Sequence, residues 1–207
     1  MASIESLRSH VWIGGSPCSG KSTVAQRLAV ARGRPLFTCD DHWGDHVARS
    51  TRKQAPVLTK LGGLPIGVRL RQLLDVQVAD VFEAYREEFP MILEDLAEDG
   101  SPSVVEGAAL LPELVAEIVV PVNRAVWMVP TEEFQRAQYG RRGWAHDLLA
   151  GAADSDALFE AWMLRDAAFG RLVASQARDL GYRVITVDGG APAESVFADV
   201  AGLFAAS

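Results

Sequence analysis

The sequence predicts an α/β protein, a five-stranded parallel sheet flanked by helices, and three observations carry that expectation. Short apolar runs alternate with segments of helical periodicity, as expected for parallel strands joined by crossover helices. A complete G-x-x-x-x-G-K-S sits where the first such run gives way to the first such helix. Carboxylates close the second and third runs, at the sheet end where open α/β sheets take their ligands.

The elements follow in order. Residues 11–15 (VWIGG) form a first strand ending in glycine, and Ser22–Arg32 carries Val24, Leu28 and several alanines at helical spacing, with Gly33 as a stop. Residues 36–39 (LFTC) read as a buried second strand closed by Asp40 and Asp41. From about 45 to 100 the pattern turns helical and polar, with Leu70, Leu73, Leu74, Val78, Val81, Phe82, Tyr85 and Phe89 at three- and four-residue steps. Pro56, Pro65 and the pair Gly62-Gly63 make 50–67 read as a mobile loop. Gly100-Ser101-Pro102 precedes a third strand at 103–106 (SVVE); 124–129 (RAVWMV) and 182–187 (YRVITV) are the fourth and fifth. Helices are expected around 131–149, 156–180 and 192–205. No linker divides the 207 residues, so one domain is expected, with residues 42–100 as an insertion and 131–150 as a lid.

Composition narrows the function classes. The chain is 49% hydrophobic and 23% charged, ordinary for a globular protein, with a formal net charge of -7. An acidic chain is a poor match for a nucleic-acid backbone, which clustered Lys and Arg hold. Cys18 and Cys39 are too few for a disulfide framework. The start of the chain lacks a basic, then long apolar, leader, and no run of about 18 apolar residues occurs. A cytoplasmic protein without membrane or nucleic-acid partners is expected, as a monomer or homodimer.

The motif Gly15-Ser16-Pro17-Cys18-Ser19-Gly20-Lys21-Ser22, continued by Thr23, has a chemical reason at each key position. Glycine at 15 and 20 permits backbone turns that aim successive N–H groups inward at phosphate oxygens. The following helix adds the positive end of its dipole. Lys21 then reaches the β- and γ-phosphates of ATP, and the Ser22 hydroxyl ligates Mg²⁺.

On these residues the chain resembles the P-loop kinases of small molecules, among them the shikimate and gluconate kinases, uridine kinase and chloramphenicol phosphotransferase. GGSPCSGKS is similar to the first loop of the last two, FTCDDHW to their second-strand aspartate, VVEG to a third-strand ending and ITVDG to a last-strand ending. The resemblance implies a P-loop fold with strand order 2-3-1-4-5, a helical acceptor-binding insertion and a mobile lid. It implies transfer of the γ-phosphoryl group of ATP to a hydroxyl of a small-molecule acceptor. The loop around Asp188 and Gly189 would pass beside the adenine.

Phosphoryl transfer calls for an acid to orient the acceptor hydroxyl. Asp40 and Asp41 are the candidates; the resemblance favours Asp40, and helix capping is the alternative role for both. Glu106, ending an apolar strand beside the phosphate loop, reads as a ligand of Mg²⁺ directly or through water, or as a structural hydrogen-bonding group. Positive charge over the migrating group is expected from Arg136, Arg141 or Arg142, the last two bracketed by glycines, with Arg165 a further candidate. The insertion supplies His42, Trp43, His46, Arg49, Arg52, Lys53, Lys60, Arg69 and Arg71 for an acceptor, or for a solvated face. His42 and His46, one turn apart, hint at a metal without a visible third ligand. The rival readings are a nucleoside or nucleotide kinase and a non-catalytic ATP-binding regulatory module.

Overall fold

The computed structural model describes residues 4–204. Five strands, β1 (Val11–Gly15), β2 (Leu36–Thr38), β3 (Val104–Glu106), β4 (Ala125–Pro130) and β5 (Arg183–Val187), form one sheet of order β2-β3-β1-β4-β5. Every neighbouring pair is parallel. The order expected from the resemblance is therefore the order observed.

Strand alternation sorts the core into two layers. Trp12, Val105 and Trp127 face one side, where they pack with Phe89, Ile92, Phe169 and Val173. Val11, Ile13, Val104, Val126 and Met128 face the other and meet Val24, Leu28, Val200 and Phe204. The first layer is covered by α6 (Leu74–Asp99) and α10 (Ser155–Asp179), the second by α2 (Lys21–Arg32) and α11 (Ala193–Leu203). The central strands β1, β3 and β4 are covered on both faces, which is why they read as apolar runs, whereas the edge strands β5 and β2, the latter expected to be buried, are partly exposed.

Register sets the functional edge. Thr38 and Ile13 are both paired with Glu106, so the ends of β2 and β3 lie level and β1 runs two residues further, to Gly15. Gly15 pairs with Met128 of β4. The residues that follow these ends share one rim of the sheet.

Several expectations need correction. The second strand ends at Thr38, and Cys39, Asp40 and Asp41 open α3 (Cys39–Arg49) instead of closing the strand. Acidic side chains in a first turn are favoured by the helix dipole, and that preference outweighs the short apolar run before it. Residues 50–67, expected as a loop, hold α4 (Pro56–Gly63) and the start of α5 (Ile66–Leu70). Pro56 stands in the first turn of α4, where a missing N–H costs nothing. The Glu87 carboxylate of α6 accepts from the Val57 and Leu58 amides at 2.9 and 2.7 Å, a cap supplied from another helix and invisible to local sequence. The single helix expected at 131–149 is two, α8 (Glu132–Gly140) and α9 (Gly143–Asp147). Two short helices, α1 (Ile4–Ser9) and α7 (Pro112–Glu117), were not expected at all. The last helix ends at Leu203, and residue 205, the expected end, lies outside the described residues. Among the described residues, no helix is long and apolar enough to cross a membrane.

Candidate active site

The loop from Gly15 to Ser22 joins β1 to α2 and is held by its own backbone. Gly15 has φ 125°, and a Cβ there would lie 1.9 Å from the Met128 carbonyl oxygen. Only glycine fits, because the Ser16 amide must donate to that same oxygen at 3.1 Å. Gly20 caps α2 in the left-handed region with no side-chain bond to the first turn. First-turn amides have no partner within a helix, so this end of α2 offers N–H groups to an anion. The Ser19 hydroxyl donates to the Ser16 carbonyl at 3.0 Å, and Lys21 Nζ donates to the same oxygen at 2.9 Å. The ammonium thus spans the loop with two of its three donors uncommitted to that oxygen.

Charges are paired beneath the loop. Lys21 is buried, and desolvation lowers its pKa against the opposing pull of Glu106 and Asp40. Glu106 is 2% exposed; burial raises its pKa, while Lys21 and a hydrogen bond with Ser22 lower it. The Ser22 hydroxyl, the buried Glu106 carboxylate and Asp40, whose charge reaches Glu106, offer only oxygen donors, the type a hard divalent cation takes.

Two cavities flank the loop. The first, of about 330 Å³, is walled by Cys18, Ser19, Gly20 and Thr23, then by Arg27, Phe134, Arg142, Val187, Gly189 and Val196. Its walls are largely apolar above a polar floor. The second, of about 260 Å³, is bounded by Pro17 on the loop side and by Asp40, Trp43, Arg69, Tyr85, Arg165 and Phe169. It carries two carboxylates, Asp40 and Asp166, two guanidinium groups and three aromatic rings. Loop residues form a wall of each cavity, so the loop is the partition between them.

The positions expected to be functional divide clearly. Gly15 to Thr23, Glu106 and Asp40 gather on the rim. Asp41 is exposed and lines neither cavity, although its charge reaches Glu106. Of the lid arginines, Arg142 reaches the first cavity and lies over the Tyr139 ring at 5.5 Å. Arg136 is instead paired with Glu160 at 2.7 Å on the surface, and Arg141 is exposed and lines neither cavity. Asp188 accepts from the Gly190 amide at 2.8 Å, turning the chain so that Gly189, not Asp188, borders the first cavity.

Arg165 is fixed by the Asp166 carboxylate at 2.9 and 2.7 Å, which also accepts from Tyr139 and Trp162. Burial opposes the Arg165 charge, but Asp166 outweighs it and holds the guanidinium above its ordinary pKa. Of the insertion's cations, Arg69 lines the second cavity. Lys60, Arg71 and Arg49 are occupied by Asp80, Asp154 and Asp95, and Arg52 and Lys53 are exposed. Trp43 lines the second cavity and meets Tyr85 edge-on, so it serves as wall and core at once.

Comparison with known proteins adds one likeness. No family model matches the chain, and no curated protein matches it. Among solved structures it is similar to a putative kinase from Chloroflexus aurantiacus J-10-fl, with 16% identity and a TM-score of 0.38 over 91% of this chain and 94% of that one. A likeness that loose carries no argument. The chemistry rests on the rim itself.

Sequence reading missed Phe134, Val187 and Val196 in the first cavity and Tyr85, Phe169 and Asp166 around the second. The apolar ones recur at helical or strand spacing, which marks them as core and says nothing of a cavity. Asp166 had one available signal, an acid adjoining Arg165 within an otherwise apolar stretch of helix.

Proposed function

We propose that the chain is a P-loop phosphotransferase that moves the γ-phosphoryl group of ATP to a hydroxyl of a small molecule. The observation that carries this reading is the shared partition: cavities of nucleotide and metabolite size meet at one phosphate-binding loop. A triphosphate laid along Gly15–Ser22 from the first cavity would end facing the second, beside Asp40.

In this mechanism the base lies against Phe134, Val187 and Val196, and the phosphates lie on the first-turn amides of α2. Lys21 keeps its bond to the Ser16 carbonyl and directs its remaining donors at the β- and γ-oxygens. Asp40 accepts the proton of the acceptor hydroxyl, or orients that hydroxyl for in-line attack. Arg142 from the nucleotide side and Arg165 from the acceptor side supply positive charge as it develops on the migrating group. Ser22 and Glu106 suit Mg²⁺, which neutralises phosphate charge when bound. Arg69 and the rings of Trp43, Tyr85 and Phe169 favour an acceptor with a ring or flat body and an anionic group.

The reading is tested by calorimetry with MgATP followed by a turnover screen of hydroxylated metabolites, nucleosides among them. Micromolar ATP affinity and a single acceptor class dependent on Asp40 are expected. A chain that binds no nucleoside triphosphate would overturn it, whereas binding with no acceptor turnover would favour the regulatory module instead.

A further inference from the structure

Beyond the phosphate loop, the geometry points to a second metal site, for a borderline divalent cation such as Zn²⁺, formed by His42, His46 and Asp95. His42 and His46 lie one turn apart on α3, and Asp95 comes from the last turns of α6. One ligand atom from each falls within 4.8 Å of the other two. The third ligand that sequence spacing did not reveal comes from an element about fifty residues away.

Distances fit a tetrahedral site. Asp95 Oδ2 lies 3.1 Å from His42 Nδ1 and 3.0 Å from His46 Nε2. Ligands about 2.0–2.1 Å from a tetrahedral zinc stand roughly 3.3–3.4 Å apart, so both Asp95–histidine separations need to open by only a few tenths of an ångström, while the two imidazole nitrogens lie within 4.8 Å of each other. Two imidazoles and a carboxylate are a donor set that zinc and its neighbours bind well and that magnesium does not prefer.

Counting hydrogens gives an independent argument. His46 is fully buried and has a carboxylate at each ring nitrogen, Glu88 Oε1 at 2.8 Å on Nδ1 and Asp95 Oδ2 at 3.0 Å on Nε2. Neutral imidazole carries one proton, so one of these contacts needs either a second proton, which Glu88, pushed up to about 7 by burial, can carry, or a metal ion. With the proton on Nδ1 facing Glu88, the Nε2 lone pair and Asp95 Oδ2 both aim at a single point. This is the carboxylate–histidine–metal arrangement, in which an outer carboxylate fixes the tautomer of a ligating imidazole. Arg49 holds the other Asp95 oxygen at 2.8 Å, and Phe37 stacks on the His42 ring at 4.3 Å, so the remaining partners are also oriented.

Entry is open. His42 and Asp95 border a surface groove that also carries Asp45, Glu98 and Asp99 against the single cation Arg49, a field that concentrates divalent cations. Bound there, the ion would tie α3 to α6 directly behind Asp40.

The test is isothermal titration of the full chain with ZnCl₂, without nucleotide or magnesium, near pH 7.5. One zinc per chain is expected, with a rise in the thermal midpoint and visible d–d absorption when Co²⁺ is substituted. His42→Ala, at a half-exposed position, and the near-isosteric Asp95→Asn should each weaken binding at least about tenfold and abolish the thermal shift. His146→Ala, on exposed α9, should change neither. Absence of stoichiometric binding would mean that a second proton, not a metal, joins His46 to its two carboxylates. Binding that survives both His42→Ala and Asp95→Asn would equally overturn the site. Neither result bears on ATP affinity or turnover.

Discussion

The two cavities beside the loop are built by opposite means. The phosphate-binding part of the proposed nucleotide side is made of backbone, residues contiguous from Gly15 to Thr23, fixed by the Met128 and Ser16 carbonyls, while side chains such as Phe134 and Val196 wall the rest. The proposed acceptor side is made of side chains that α3, α5, α6 and α10 bring from positions 40 to 169. A phosphate cradle needs a particular local backbone path and little else, so it is written in eight consecutive residues. An acceptor pocket needs rings and charges to converge from distant positions. On the proposed function, acceptor specificity would therefore reside on the side that sequence describes least.

The largest effect that would break this contrast is at Lys21. Lys21→Ala is expected to lower turnover by about 10³-fold or more, since it removes the cation that follows charge onto the migrating group. Near-normal turnover in a stopped assay would separate the loop from the chemistry. Asp40→Asn comes next, with kcat down about 10²- to 10⁴-fold and the KM for ATP little changed. Asp41→Asn, off both cavities, should leave kcat within a few-fold; equal losses at the two positions would undo the assignment.

Arg69→Met sharpens the contrast in binding. The KM for an anionic acceptor should rise about tenfold or more while that for ATP stays put, as initial rates against each substrate will reveal. Gly107→Ala acts on stability: its Cβ would stand 2.5 Å from Cys39 Cβ, and urea denaturation should register a loss of about 1–3 kcal/mol. The smallest effect belongs to Arg136→Ala. Its exposed, solvent-screened pair with Glu160 contributes little to stability, and kcat should not change. A large fall in kcat there would mean that the lid turns Arg136 inward during the cycle.

What could be read in advance follows from range. β1, the loop and α2 were legible because apolar run, glycines and helical spacing are adjacent and mutually consistent. The short β2 was read one residue too long, because Cys39 is apolar whether it ends a strand or begins a helix. α4 was missed because its start is capped by Glu87, some thirty residues away. Among the lid arginines, sequence gave three equivalent candidates. The break between α8 and α9 turns Arg142 toward the first cavity, while a partner from α10 draws Arg136 away. The metal candidate at His42 and His46 lacked its third member for the same reason: Asp95 is a neighbour only after α3 and α6 have packed.

The contact between Gly107 and Cys39 has a mechanical consequence. With no side chain on the residue after β3, the first turn of α3 seats directly against the strand that carries Glu106. The backbone segments that carry Asp40 and Glu106 are thereby packed against each other. On the proposed function, a motion that admits or seals a substrate would come from the opposite bank, where α5 and the α8–α9 joint carry Arg69 and Arg142.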